Sequence, residues 1–175
     1  MMFSTKAEYG VRVMAHLARR EVDGAHGASP IALGTIAEAE GLPLAYLEHL
    51  VARLRRAQLV ESRRGAHGGY SLARPAERIT MAEVVEALEG EIAPIECITS
   101  NAEGTLVCVR DGQPGHDPCP TKLLWTRVQG SIVRTLTEMT LADLVEPAAR
   151  ARRRTSAAAL RSAGTPQTNS ETATA

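Results

Sequence analysis

Leu44-Ala-Tyr-Leu-Glu-His-Leu-Val-Ala-Arg-Leu-Arg-Arg56 and, after Ala57 and Gln58, Leu59-Val-Glu-Ser-Arg-Arg-Gly-Ala-His-Gly-Gly-Tyr-Ser-Leu72 decide the fold. In the first, Leu44, Leu47, Leu50, Val51 and Leu54 recur at three-to-four spacing, the mark of a helix with one buried face. The spacing predicts a helix from about Pro43, tolerated in a first turn, to Ala57. Its other side shows Tyr46, Glu48, His49, Arg53, Arg55 and Arg56. In the second stretch, two short extended runs flank a glycine-rich turn, which predicts a hairpin with a basic tip.

Upstream, Leu33, Ile36 and Ala37 predict a short helix over 31–40, ended by Gly41 in the left-handed position that suits a residue without Cβ. Before it, Ser4 or Thr5 can cap a helix to about Arg20, with Tyr9, Val13, Met14, Leu17 and Ala18 on the apolar face and Lys6, Arg12 and Arg19 on the other. Glu21 to Pro30, with Gly24 and Gly27, is expected to be a loop. Downstream, Thr80 can cap a helix from Met81 to about Leu88 that Gly90 stops. Helix, short helix, turn, helix and basic hairpin is the order of a winged helix-turn-helix, a mainly α fold with a small β-hairpin wing. A long helix follows from Thr121 to about Glu138, with Leu124, Trp125, Val128, Ile132, Val133 and Leu136 at helical period, and a capped turn from Thr140 to Val145. A lone helix cannot bury that stripe, so a second copy of the chain is its expected partner.

The chain has 175 residues, with one Phe, one Trp and three Tyr, so its core rests on aliphatic residues and a β-sandwich is disfavoured. We expect a winged helix-turn-helix DNA-binding domain over 1–90, a cysteine-bearing loop over 91–119, a dimerisation helix over 120–146 and a disordered tail over 147–175. The loop has too few apolar residues to hold itself by packing. The tail is rich in Arg, Ser, Thr and Ala, with Arg150–Arg154 a frayed extension of helix. No run of about 18 uncharged apolar residues occurs, and nothing after the opening basic residues resembles a signal peptide, so a cytoplasmic protein with no membrane span is expected.

Lys plus Arg and Asp plus Glu both total 20, but the neutrality is an average. Residues 1–80 hold 11 basic and 8 acidic side chains, 81–149 hold 4 and 11, and 150–175 hold 5 and 1. Between Arg53 and Arg78 seven arginines face only Glu61 and Glu77, which marks where a polyanion binds. On a helix entering a major groove, Ala45, Tyr46, Glu48 and His49 are the residues near base edges, and flanking cations such as Arg53 and Arg55 neutralise phosphates. Glu48 can accept from a cytosine amino group and Tyr46 can bond a phosphate; plain packing for Tyr46 and solvation for Glu48 remain open. Arg63, Arg64 and His67 sit on a projection slender enough for a minor groove. One such domain makes a limited interface, so the expected partner is double-stranded DNA carrying a palindromic operator, read by a homodimer.

Cys97, Cys108 and Cys119 fall in one short window, separated by ten residues each. An iron–sulfur cluster, a zinc ion and a thiol–disulfide switch all use such residues, and the spacing matches no zinc ribbon. A cluster needs a fourth ligand, for which His116 is one candidate.

Lys6-Ala-Glu-Tyr-Gly-Val11, the two stretches quoted first, and Thr140-Leu-Ala-Asp-Leu144 together resemble the Rrf-two family of bacterial winged-helix regulators, the group of IscR, NsrR and RirA, over about residues 2–146. The resemblance implies a dimeric transcription factor, read here as a repressor, with an iron–sulfur cluster (2Fe–2S or 4Fe–4S) that reports iron, cluster supply, nitric oxide or redox state. It implies Tyr46, Glu48 and His49 as recognition contacts, Arg64 as the minor-groove residue, and Cys97, Cys108 and Cys119 as cluster ligands. In the IscR pattern a histidine follows the third cysteine by three residues; here Lys122 stands there. In the NsrR-like pattern an acidic residue of the partner subunit completes the site, and Glu8 falls at that position. An ion pair with Arg12 is the plainer role for Glu8. No enzymatic activity is implied.

Overall fold

The computed structural model describes residues 3–23, 29–65, 67–93, 95, 97–100, 106–108 and 119–145. The elements are α1 (Thr5–Asp23), α2 (Leu33–Glu40), α3 (Leu44–Arg56), β1 (Val60–Arg63), β2 (Gly69–Leu72), a 3₁₀ turn (Ala76–Arg78), α4 (Met81–Glu89), β3 (Ile98–Ser100), β4 (Leu106–Cys108), α5 (Lys122–Glu138) and α6 (Leu141–Val145). This is the predicted mainly helical winged fold. His116 and the tail from residue 146, including Arg150–Arg154, lie outside the described residues.

The core is built where the periodicity places it. Val13, Met14, Leu17 and Ala18 of α1 meet Leu33 and Ile36 of α2, Leu47, Leu50, Val51 and Leu54 of α3, and Val84 and Leu88 of α4. Each Val, Leu, Ile or Met of this set contributes about 1.5–3 kcal/mol by leaving water, and Ala18 less. Leu44 is a correction: it is 44% exposed, not part of the buried stripe. It is the first residue of α3, and helical side chains lean toward the N-terminus, so Leu44 reaches past the core over the turn. Gly41 ends α2 at φ 64°, as its missing Cβ permits.

The wing is an antiparallel pair with Val60 opposite Leu72 and Arg63 opposite Gly69. An isolated bridge between Ile31 and Tyr70 sets a third chain segment beside β2, with Ile31 N–H donating to Tyr70 O at 3.0 Å and Tyr70 N–H to Ile31 O at 2.8 Å. At the far end, Thr80 pairs with Thr140. Met81 N–H donates to Met139 O and Leu141 N–H to Ile79 O, both at 2.8 Å, so α6 returns to the start of α4 and sets Leu141 and Ala142 into the core.

The loop over 91–119 holds more structure of its own than expected. Ile98 pairs with Cys108 and Ser100 with Leu106 in a second small hairpin. Ile92, Ile98 and Cys108 are buried, at 5%, 1% and 3% exposure, so three well-placed side chains replace the broad stripe that the sequence lacks.

Thr80 opens α4 with a reciprocal capping box: Glu83 N–H donates to Thr80 Oγ1, and Thr80 N–H donates to Glu83 Oε2 at 2.8 Å. Burial pushes the Glu83 carboxyl up, but Thr80 and Arg74 donate to it and hold it below the ordinary carboxylate range. Glu89 behaves alike, through Ser4 and Lys6. A carboxylate whose pKa is lower folded than unfolded stabilises the fold at neutral pH, and that contribution disappears as pH falls through the folded value. The melting temperature is therefore expected to fall steadily from about pH 5 to pH 3, and Glu83→Gln to flatten part of that slope. A pH-independent melting temperature across this interval would contradict the assignment.

Candidate functional site

The exposed side of α3 carries Glu48 and His49, and the wing carries Arg63, Arg64 and His67, all exposed. Among the described residues none of the five side chains has a hydrogen-bond or ion-pair partner, so all are available to a ligand. Arg55 lies between the two elements and donates from Nη1 to Ser62 Oγ at 3.2 Å, strapping α3 to β1. The exposed side of α3 and the wing are therefore joined in one largely basic surface.

Two expected contacts have additional duties. Tyr46 is half-buried, its ring edge-on to Tyr9 with centroids 5.8 Å apart and planes at 89°, so packing against α1 fixes it. Arg53 donates from Nη1 to Leu88 O at 3.0 Å, satisfying a carbonyl in the last turn of α4. Its guanidinium braces two helices as well as facing outward.

Sequence reasoning missed a further group. Glu40, the last residue of α2, receives Arg12 Nε at 3.1 Å, His16 Nδ1 at 3.0 Å and Arg19 Nη1 at 4.0 Å. Arg12 also donates to the Glu40 main-chain carbonyl. Burial raises the Glu40 carboxyl, and the His16 and Arg12 contacts outweigh it and hold it below the ordinary range. The plainer role for Glu8 does not hold, because Arg12 is committed to Glu40; the Glu8 side chain is exposed and unpaired among the described residues.

Of the cysteines, Cys108 is buried on β4 opposite Ile98, and Cys97 immediately precedes β3. Cys119 lies before α5, with Sγ 3.4 Å from Thr121 Oγ1. The Thr121 hydroxyl and N–H, then the Lys122 N–H and the Cys108 thiol, favour its thiolate and hold its pKa below the ordinary thiol value. Cys108 and Cys119 are therefore neighbours. Among the described residues no three Cys, His, Asp or Glu side chains converge as a metal site, and neither Cys97 nor Glu8 completes one.

The chain matches the Rrf2 family model, described as an iron-dependent transcriptional regulator, over residues 3–147. It belongs to the Rrf2 family. It is 36% identical over 144 residues to the transcriptional regulator CymR of Bacillus subtilis, spanning 82% of this chain and 89% of that one. It is 35% identical over 146 residues to IscR of Xenorhabdus nematophila, spanning 83% of this chain and 80% of that one. The solved structure of CymR, the global cysteine regulator of B. subtilis, superposes with a TM-score of 0.65 at 34% identity, covering 83% of this chain and 97% of that one. Rrf2 proteins are transcriptional regulators acting on DNA, and not enzymes. Among the described residues no helix is long and apolar enough to cross a membrane.

Proposed function

We propose that this Rrf2 protein is a cytoplasmic, homodimeric repressor that reads a palindromic operator with α3 and the wing. The observation carrying this reading is the exposed surface formed by Glu48, His49, Arg63, Arg64 and His67, unpartnered among the described residues, around the Arg55–Ser62 strap. Tyr46, Arg53 and Arg55 complete it as phosphate contacts. Arg64→Ala is expected to weaken binding to every duplex, whereas Glu48→Ala relaxes base preference at one position of each half-site by about 1–3 kcal/mol. Binding titrations on a panel of single-base variants check both; unchanged selectivity in Glu48→Ala removes it from base reading.

The sensing site is Cys97, Cys108 and Cys119. Three thiolates are the donor set of an iron–sulfur cluster, 2Fe–2S or 4Fe–4S, and similarity to IscR supports that cofactor. Cys108 and Cys119 already adjoin, so Cys97 has to approach them, and the partner subunit's Glu8, or His116, supplies the fourth ligand. When bound, such a cluster supplies a redox-active centre that reacts with oxidants and nitric oxide. A second reading follows from the Cys108–Cys119 contact itself: without a cluster, these two thiols form a disulfide switch. Protein purified without oxygen is expected to absorb visible light and to hold iron and sulfide at roughly one cluster per subunit. Colourless protein with stoichiometric zinc selects a zinc site, and colourless metal-free protein that joins Cys108 to Cys119 under peroxide selects the switch.

A further inference from the structure

We propose that Glu40 is a positioning residue for sequence-specific DNA binding: by gathering Arg12, His16 and Arg19 of α1, it fixes the angle at which α3 presents Tyr46, Glu48 and His49. The inference rests on α3 being the base-reading helix.

α2 is short, Leu33–Glu40, and its buried residues Leu33, Ile36 and Ala37 do not include its last turn beyond Ala37. Apolar contacts are non-directional and leave a short helix some freedom to swing about its packed side. The Glu40 contacts are directional. Arg12 meets both the carboxylate and the main-chain carbonyl of Glu40, so one guanidinium holds the side chain and the helix end together. His16 Nδ1 meets the other carboxylate oxygen at 3.0 Å, which requires an N–H there. Only Gly41, Leu42 and Pro43 separate Glu40 from α3, so the position of the α2 end is passed directly to the first turn of α3. The Tyr9–Tyr46 contact ties that turn to α1 independently, and the two ties together define an orientation where one alone would leave a pivot.

Charge makes the role separable from mere stabilisation. Glu40 is the only carboxylate paired with Arg12 and Arg19 among the described residues. Glu40→Gln leaves both guanidinium groups without a carboxylate and removes one negative charge, raising the net charge by one, which by itself strengthens sequence-independent attraction to phosphates. A misaimed recognition helix, in contrast, weakens only the specific complex, because base edges need accurate registration and phosphate attraction does not.

The test compares the full chain and its Glu40→Gln variant on two duplexes, one selected by the wild-type protein from a random library and one random duplex of equal length. Both are measured well below the melting temperature. The ratio of the two affinities is expected to fall by about tenfold or more in Glu40→Gln, with affinity for the random duplex unchanged or higher. The charge-swapped pair Arg12→Glu with Glu40→Arg is expected to recover part of the ratio. A folded Glu40→Gln protein with the wild-type ratio overturns the proposal, as does an equal loss on both duplexes. Should Glu40→Gln fail to fold, Arg12→Gln, which keeps His16 and Arg19 on the carboxylate, is judged by the same ratio. Arg64→Ala is run in parallel: if it binds both duplexes like wild type, the DNA-interface reading itself fails and takes the Glu40 role with it; if it binds more weakly, only the Glu40 variants decide.

Discussion

Gly69→Ala is expected to cost about 2–6 kcal/mol of stability, an unusually large penalty for adding one methyl group. Gly69 has φ 152°, and a Cβ built on it would stand 2.3 Å from the main-chain oxygen of Ile31 and 2.4 Å from its carbonyl carbon. Those atoms are backbone, held in place by the two hydrogen bonds of the Ile31–Tyr70 bridge, so no side-chain rotation relieves the clash. The positive φ costs about 1–3 kcal/mol of backbone strain once a Cβ is present, and the clash also opens the bridge, losing about 0.5–1.5 kcal/mol for each of its two hydrogen bonds, so the two losses add. Urea unfolding with an unchanged slope is the measurement. Gly41→Ala is the internal comparison. It has φ 64° with nothing within 4 Å of the built Cβ, so only the left-handed backbone cost of about 1–2 kcal/mol applies. If the two variants lose equal stability, the wing does not depend on this close approach.

Leu124→Glu is expected to convert the full chain to monomers and to weaken binding to a palindromic duplex. Leu123 and Leu124 are 63% and 56% exposed on α5, while Trp125, Val128, Ile132 and Val133 are half-buried along the same helix. Gln129 is the fully buried residue of this helix, so α5 turns part of its apolar surface away from its own chain. In a two-fold dimer every contact occurs twice, and burying one Leu is worth about 1.5–3 kcal/mol, so removing it from both copies raises the dimer dissociation constant by roughly two to four orders of magnitude. Sedimentation velocity read beside the DNA titration tests this. A Leu124→Glu protein that stays dimeric with wild-type affinity would place the two-fold interface elsewhere.

The parts of the fold that the sequence displays are those governed by local chemistry. Leu47, Leu50, Val51 and Leu54 are buried as their spacing requires, Thr80 caps α4, Gly41 ends α2, and the glycine-rich turn joins a hairpin. What escaped depends on residues far apart in the chain. Arg12 and His16 look like ordinary solvent-facing members of an amphipathic helix until α2 brings Glu40 to them. Ser4 and Lys6 likewise meet Glu89 at the end of α4, which no periodicity discloses. The β3–β4 hairpin was hidden for a different reason: its strands are three residues long, too short for alternation to register, and a few buried residues do the packing. The residues proposed to face DNA stand out in the sequence as exposed charge beside a helical stripe, whereas the bracing by Arg53 and the ring contact of Tyr46 needed the tertiary partner.

The rung between Thr80 and Thr140 bears on anyone trimming the gene. A fragment ending near residue 90 keeps every reading side chain yet discards Leu141 and Ala142, opening a greasy notch beside α1 and the 3₁₀ turn where the intact chain seals itself. Such a fragment should clump on purification, and carrying the boundary through Val145 should cure it.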